Sequence, residues 1–107
     1  MPMNLIKHDQ VPVGPTAVGL TLPVRASNGE TYRPRRALIA VTDNPIRWRA
    51  DGTAPGFTVG TPVSAGSYID WTDSEYDYDA FQLIKRVKFI QADSASGPAT
   101  LEVDFFD

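Results

Sequence analysis

The number of prolines and glycines in so short a chain argues for many turns and against long helices. Nine prolines and eight glycines are spread over 107 residues; each proline removes a backbone donor and each glycine weakens a helix interior. Between these breaks the apolar residues recur with a period of two. In residues 99–106, Leu101, Val103 and Phe105 oppose Thr100, Glu102 and Asp104, which gives an extended strand one apolar and one polar face. Residues 17–25 repeat the pattern, with Val18, Leu20, Leu22 and Val24 set against Gly19, Thr21, Pro23 and Arg25. Pro23 marks this strand as an edge, since it cannot donate to a ladder. Ser27-Asn28-Gly29-Glu30 then predicts a type I′ hairpin turn, from which Thr31 and Tyr32 pair back.

The organising stretch is residues 37–60. An apolar run from Ala37 to Val41 ends at Thr42-Asp43-Asn44-Pro45, because proline drives the residue before it out of the helical region. Ile46-Arg47-Trp48-Arg49 alternates apolar with cationic, which predicts a half-buried strand with Ile46 and Trp48 inward and both arginines outward. Asp51-Gly52 and Pro55-Gly56 supply turns before Phe57. Residues 68–72 are rich in aromatic and β-branched side chains and predict another strand. Asp79 is placed to cap a short helical turn over residues 80–83. Residues 86–92, with Val87 and Phe89 on one face, predict a strand that forms a hairpin with residues 99–106. Short strands roughly every ten residues, with turns between them, give an all-β reading: an antiparallel β-sandwich, jelly-roll-like, or a barrel.

Residues 1–16 fit neither element. Pro2, Pro12 and Pro15 exclude a helix and a central strand. The segment reads as an extended N-terminal arm ahead of a single domain at residues 17–107. Such an arm is either a loose tail or lies along a neighbouring subunit, where Leu5, Ile6, Val11 and Val13 find cover. At this length roughly 60 to 68 per cent of the unfolded surface can be buried, enough for one core.

Composition removes several functions. A formal charge of −3 supplies no basic footprint for displacing counterions from phosphates, so no nucleic acid partner is expected. With no cysteine there is no disulfide, thiolate nucleophile or zinc-thiolate site. His8 is the single histidine, so neither a Ser-His-Asp triad nor a multi-histidine metal site can be drawn. No apolar run approaches the 18 or so residues of a membrane span, and no apolar leader follows basic residues, so no membrane partner and no address are expected. The glycines form no phosphate-cradling loop. The reading is non-enzymatic, with no cofactor.

Three clusters remain. Arg33, Arg35 and Arg36 surround Pro34 and serve either as a solvated face or as a contact for an acidic partner. Asp70, Asp73, Glu75, Asp77 and Asp79 form an oxygen-rich loop of the kind that binds calcium. An EF-hand register from Asp73 fails, however, with Tyr78 at its sixth position and Ile84 at its twelfth. Five local carboxylates also lack the two contrasting environments of a glycosidase pair, and a solvated or partner-facing acidic loop is the simpler reading. Trp48, Trp71, Tyr68, Tyr76 and Tyr78 offer a sugar-stacking platform; the plainer alternative puts Trp48 and Tyr68 in the core and the others at a rim.

The segment of residues 37–66, ALIAVTDNPIRWRADGTAPGFTVGTPVSAG, resembles a pattern of small virion proteins of tailed bacteriophages. Those proteins carry an apolar strand, an IRWR-DGT-P turn, a VG-P step and an AG turn, followed by a VKFI-like strand and an alternating C-terminal strand. The counterparts are residues 46–55, 59–62, 65–66, 87–90 and 101–106, about two thirds of the chain. The acidic insert at residues 73–83 is longer than the turn in the pattern. The resemblance implies a structural β-sandwich of the virion, foremost a capsid decoration or cement protein made in the host cytoplasm and placed on the capsid surface. Its partners would be the major capsid protein and further copies of itself. A head-fibre, tail or adaptor component with a carbohydrate- or receptor-binding role is the alternative. The residues expected at interfaces are Leu5, Ile6, Val11, Val13, Arg33, Arg35, Arg36, Asp73, Glu75 and Asp77.

Overall fold

The strict alternation of residues 99–106 determines the centre of the structure. In a computed structural model, which describes residues 4–24, 28–73 and 80–107, these residues form the long strand β8 (Ala99–Phe106). Every second side chain of β8 is buried: Ala99 is 2% exposed, while Leu101, Val103 and Phe105 are fully buried. It lies between β1 (Leu5–Val13) and β3 (Arg36–Thr42), with β6 (Tyr68–Thr72) beyond β3, in a four-stranded sheet of order β1-β8-β3-β6. The register sets Val103 against Ile39 and Leu101 against Val41, so the apolar rows of adjacent strands meet on one face.

A second four-stranded sheet has the order β2-β7-β4-β5, comprising β2 (Val18–Gly19), β4 (Ile46–Arg49), β5 (Thr61–Val63) and β7 (Lys88–Gln91). All pairings in both sheets are antiparallel. Phe89 and Ile46 from this sheet join Ile39, Val103 and Phe105 from the first in one buried cluster, and apolar burial of this kind is the main favourable contribution to folding. The short helix α1 (Ala80–Arg86) adds Ala80 and Ile84 to the same cluster. The chain is therefore mostly β, with two antiparallel sheets sharing a core.

Several expectations need correction. Residues 5–13 are not a free arm. They form β1, paired residue for residue with β8 from Lys7 to Val13, with a bulge between Leu5 and Lys7. Val13 is fully buried and Ile6 and Val11 pack on the core, so this apolar stripe finds cover in its own domain. Proline is tolerated in β1 because β1 is an edge strand. Of the strand expected over residues 17–25, the described residues 17–24 form only the two-residue β2 and an isolated bridge from Val24 to Thr31, and Arg25 lies outside the described residues. The chain does turn back there, as the Tyr32 N–H donates to the Pro23 carbonyl at 2.9 Å. Gly29 has positive φ, and Ser27, the first residue of the expected turn, lies outside the described residues.

The expected hairpin of residues 86–92 with 99–106 does not form either. β7 pairs with β2 and β4, and β8 with β1 and β3. Residues 92–98 carry the chain from one sheet to the other, pinned by the Ala92 N–H on the Pro45 carbonyl at 3.1 Å and the Asn44 side-chain amide on the Pro98 carbonyl at 2.7 Å. The short helical turn expected after the acidic run extends over seven residues as α1. A carboxylate oxygen of Asp73 accepts from the Ala80 N–H at 2.9 Å, satisfying one of the donors a helix start leaves open. The expected cap, Asp79, lies outside the described residues.

Candidate interaction face on the first sheet

Because β8 points its odd-numbered side chains into the core, Thr100, Glu102, Asp104 and Phe106 project from the opposite face. The register extends this face across four strands. One row runs His8, Asp104, Leu38, Asp70, and the next runs Gln10, Glu102, Ala40, Tyr68. A third brings Phe106, Arg36 and Thr72 together. The result is a small apolar shelf, Leu38 and Ala40, between two polar ridges.

The β1–β8 ridge is a network. His8 Nδ1 lies 2.6 Å from Asp104 Oδ1, and His8 Nε2 lies 2.7 Å from Glu102 Oε2. The Gln10 amide donates to the other Glu102 oxygen at 2.7 Å. Both imidazole nitrogens face a carboxylate oxygen, an arrangement fully satisfied only when both carry hydrogen. The hydrogen bond with Asp104, and then that with Glu102, hold the His8 pKa above its ordinary value.

The β3–β6 ridge is built on Arg36. Its guanidinium donates to both oxygens of Asp70, at 3.0 Å and 2.9 Å, and lies 5.1 Å from the centre of the Phe106 ring. The two-point geometry matches the planar guanidinium fork to the carboxylate. Asp70 also accepts from the Thr72 hydroxyl at 2.9 Å. Arg36 foremost, aided by Thr72, holds the Asp70 carboxyl below the usual carboxylate range. At the corner of the face Tyr68 is 69% exposed.

The expected interface residues are dispersed. Leu5 is exposed, but Ile6, Val11 and Val13 are drawn into their own core. The arginine group is divided among partners, with Arg33 over the Phe81 ring at 4.8 Å, Arg35 3.7 Å from Asp73 and Arg36 on Asp70. Only Arg36 reaches the face. Asp73 is occupied with the α1 start and Arg35, while Glu75 and Asp77, and with them most of the proposed calcium loop, lie outside the described residues. The described residues contain no group of three or more His, Asp or Glu placed to hold a metal ion.

The aromatic assignment is reversed for Tyr68 and Trp71, holds in part for Trp48, which packs against the core, and for Tyr76 and Tyr78 falls outside the described residues. Trp71 is buried and Trp48 is half-buried, their rings meeting edge to face at 5.2 Å and 75°. Tyr68, read as core, is the exposed one. Arg47 does not project freely either, for its guanidinium donates to the Ala92 and Gly60 carbonyls at 3.2 Å and 3.1 Å. A cleft of about 320 Å³ lies where β1 passes Gly19 and Thr21. The acid and base in it, Asp9 and Lys7, already pair at 3.4 Å.

Sequence reasoning missed the network of His8 and Gln10 with Glu102 and Asp104, and it named Asp70 and Tyr68 for other roles, a calcium loop and the core or a sugar platform. The outward parity of Glu102 and Asp104 was visible in the alternation, but their partners on β1 lie more than 90 residues away. No family model, curated protein or solved structure matches the chain.

Proposed function

We propose that this chain is a non-enzymatic structural protein of a tailed-bacteriophage particle, a capsid decoration or cement subunit that docks on the major capsid protein and on copies of itself. In this reading its two sheets stack as a jelly-roll-like sandwich, and the outer face of β1-β8-β3-β6 is the docking surface. One observation carries it: the charged side chains of that face are already held in fixed pairs around a shallow apolar shelf, with Tyr68 standing free at the corner. Side chains ordered before contact lose little entropy on docking, and aromatic residues are the usual anchors of interfaces. Weak contacts of this kind gain strength when a symmetric lattice repeats them.

The test is a count of copies in purified particles by quantitative mass spectrometry, with a Tyr68→Ala chain supplied beside the natural one. A decoration protein gives on the order of hundreds of copies, set by the lattice symmetry, and Tyr68→Ala lowers incorporation while remaining folded. A few copies per particle would overturn capsid decoration. The exposure of Tyr68 also favours the alternative of a fibre or tail module that stacks on a sugar. That reading expects low copy number, normal incorporation of Tyr68→Ala, and loss of attachment to host cells.

A further inference from the structure

The first half of β1 is held mainly by polar contacts. Among residues 5–10 none is buried, and Ile6 alone packs against the core; the anchored end of the strand is Val13. Besides the backbone ladder to β8, this half is joined through His8 to Asp104 and Glu102 and through Gln10 to Glu102. The bulge between Leu5 and Lys7 interrupts the ladder within the same segment. Edge segments with few apolar contacts open at the lowest free energy.

We propose that residues 5–10 form a pH-gated latch, in which His8 clamps the edge strand to β8 when protonated on both nitrogens and lets this half of β1 open when it loses a proton. With one nitrogen bare, a lone pair faces a carboxylate oxygen 2.6 or 2.7 Å away, and one of the two bonds becomes a repulsion. Opening leaves the backbone groups of β8 from Glu102 to Phe106 without their β1 partners. The inference stands on the clamp geometry and is independent of the assembly reading.

The other groups around His8 set the direction. On β8 they are Asp104 and Glu102, both acidic. On β1 they are Asp9 and Lys7, which pair with each other at 3.4 Å. Across β8, the facing residues of β3 are Leu38 and Ala40, which carry no charge, and the next charged pair, Arg36 with Asp70, is self-contained. The immediate surroundings therefore favour the cation, in accord with the raised His8 pKa. A raised folded value means that the clamp contributes fully below the unfolded histidine pKa and is lost as pH rises through the folded one. The latch is shut in mild acid and opens on the alkaline side.

Hydrogen exchange of the full chain, read by peptide mass spectrometry and corrected for intrinsic rates, tests this at about pH 5.5 and about pH 8.5, either side of the ordinary histidine range. Protection of residues 5–10 should fall several-fold at the higher pH, while β3 and β7 stay unchanged. In His8→Gln the protection should be low and the same at both pH values. In Glu102→Gln with Asp104→Asn it should also be low at both, because the cation has lost its partners. Unchanged protection of residues 5–10 in the natural chain would overturn the latch. So would the same pH dependence in His8→Gln, or a loss of protection shared equally by β3 and β7, which would mean global loosening.

Discussion

The edge-to-face pair of Trp48 and Trp71 joins the two sheets and allows the packing to be tested quantitatively. Trp71, on β6, is 5% exposed, so Trp71→Ala removes nearly a whole buried indole and should destabilise by about 3–5 kcal/mol. Trp48, on β4, is only half-buried. Scaling the same loss to the smaller buried area gives about 2 kcal/mol for Trp48→Ala. The ring contact at 5.2 Å and 75° has the geometry of an aromatic pair that contributes about 0.5–1.5 kcal/mol beyond area burial. The double variant should therefore lose less than the sum of the singles by that amount. For a domain with a total stability of about 5–15 kcal/mol, Trp71→Ala leaves a fold close to its limit. Each kcal/mol lowers the melting midpoint by about 4–8 °C at this size. Urea titration followed by far-ultraviolet circular dichroism measures all four chains without relying on the deleted fluorophores. Equal losses for the two single variants would refute the burial assignment, and strict additivity would refute the ring contact.

Two further perturbations probe the backbone. Gly60→Ala should destabilise by more than about 1 kcal/mol in thermal melts, because Gly60 has φ +130° and an added Cβ would meet the Trp48 carbonyl oxygen at 3.0 Å; Gly52→Ala, at φ +88° with open space around it, should cost less. Asp73→Ala should cost about 0.5–2 kcal/mol as the Ala80 N–H loses its acceptor, whereas Asp73→Asn, which keeps a side-chain oxygen, should recover most of that loss in the same melts.

Local chemistry made the strands legible, and distance concealed how they combine. The alternation of β8, the Asn44-Pro45 break before β4 and the aromatic run of β6 each follow from neighbours in sequence, because side-chain direction in an extended chain reverses at every residue. The same rule says that Tyr68 and Trp71 lie on opposite faces of β6, but it does not say which face is covered. That was decided by pairing with β3, which sets Trp71 beside Ala37 and turns Tyr68 out beside Ala40. The sheet to which a strand belongs is likewise a long-range choice. β7 and β8 are neighbours in sequence with only residues 92–98 between them, yet they separate into different sheets because Phe89 is covered from one side of the core and Phe105 from the other.

By itself the sequence determined a mostly β chain, the positions of β3, β4, β6 and β8, the polar face of β8, and the lack of any thiolate or multi-histidine chemistry. Only the tertiary structure turned a proline-bearing arm into edge strand β1 and brought His8 between Asp104 and Glu102. A lone histidine and two alternating carboxylates carry no signal of one another across more than 90 residues. They meet because Val11 and Val13 gain cover on the core, and that burial fixes the β1 register which places His8 opposite Asp104.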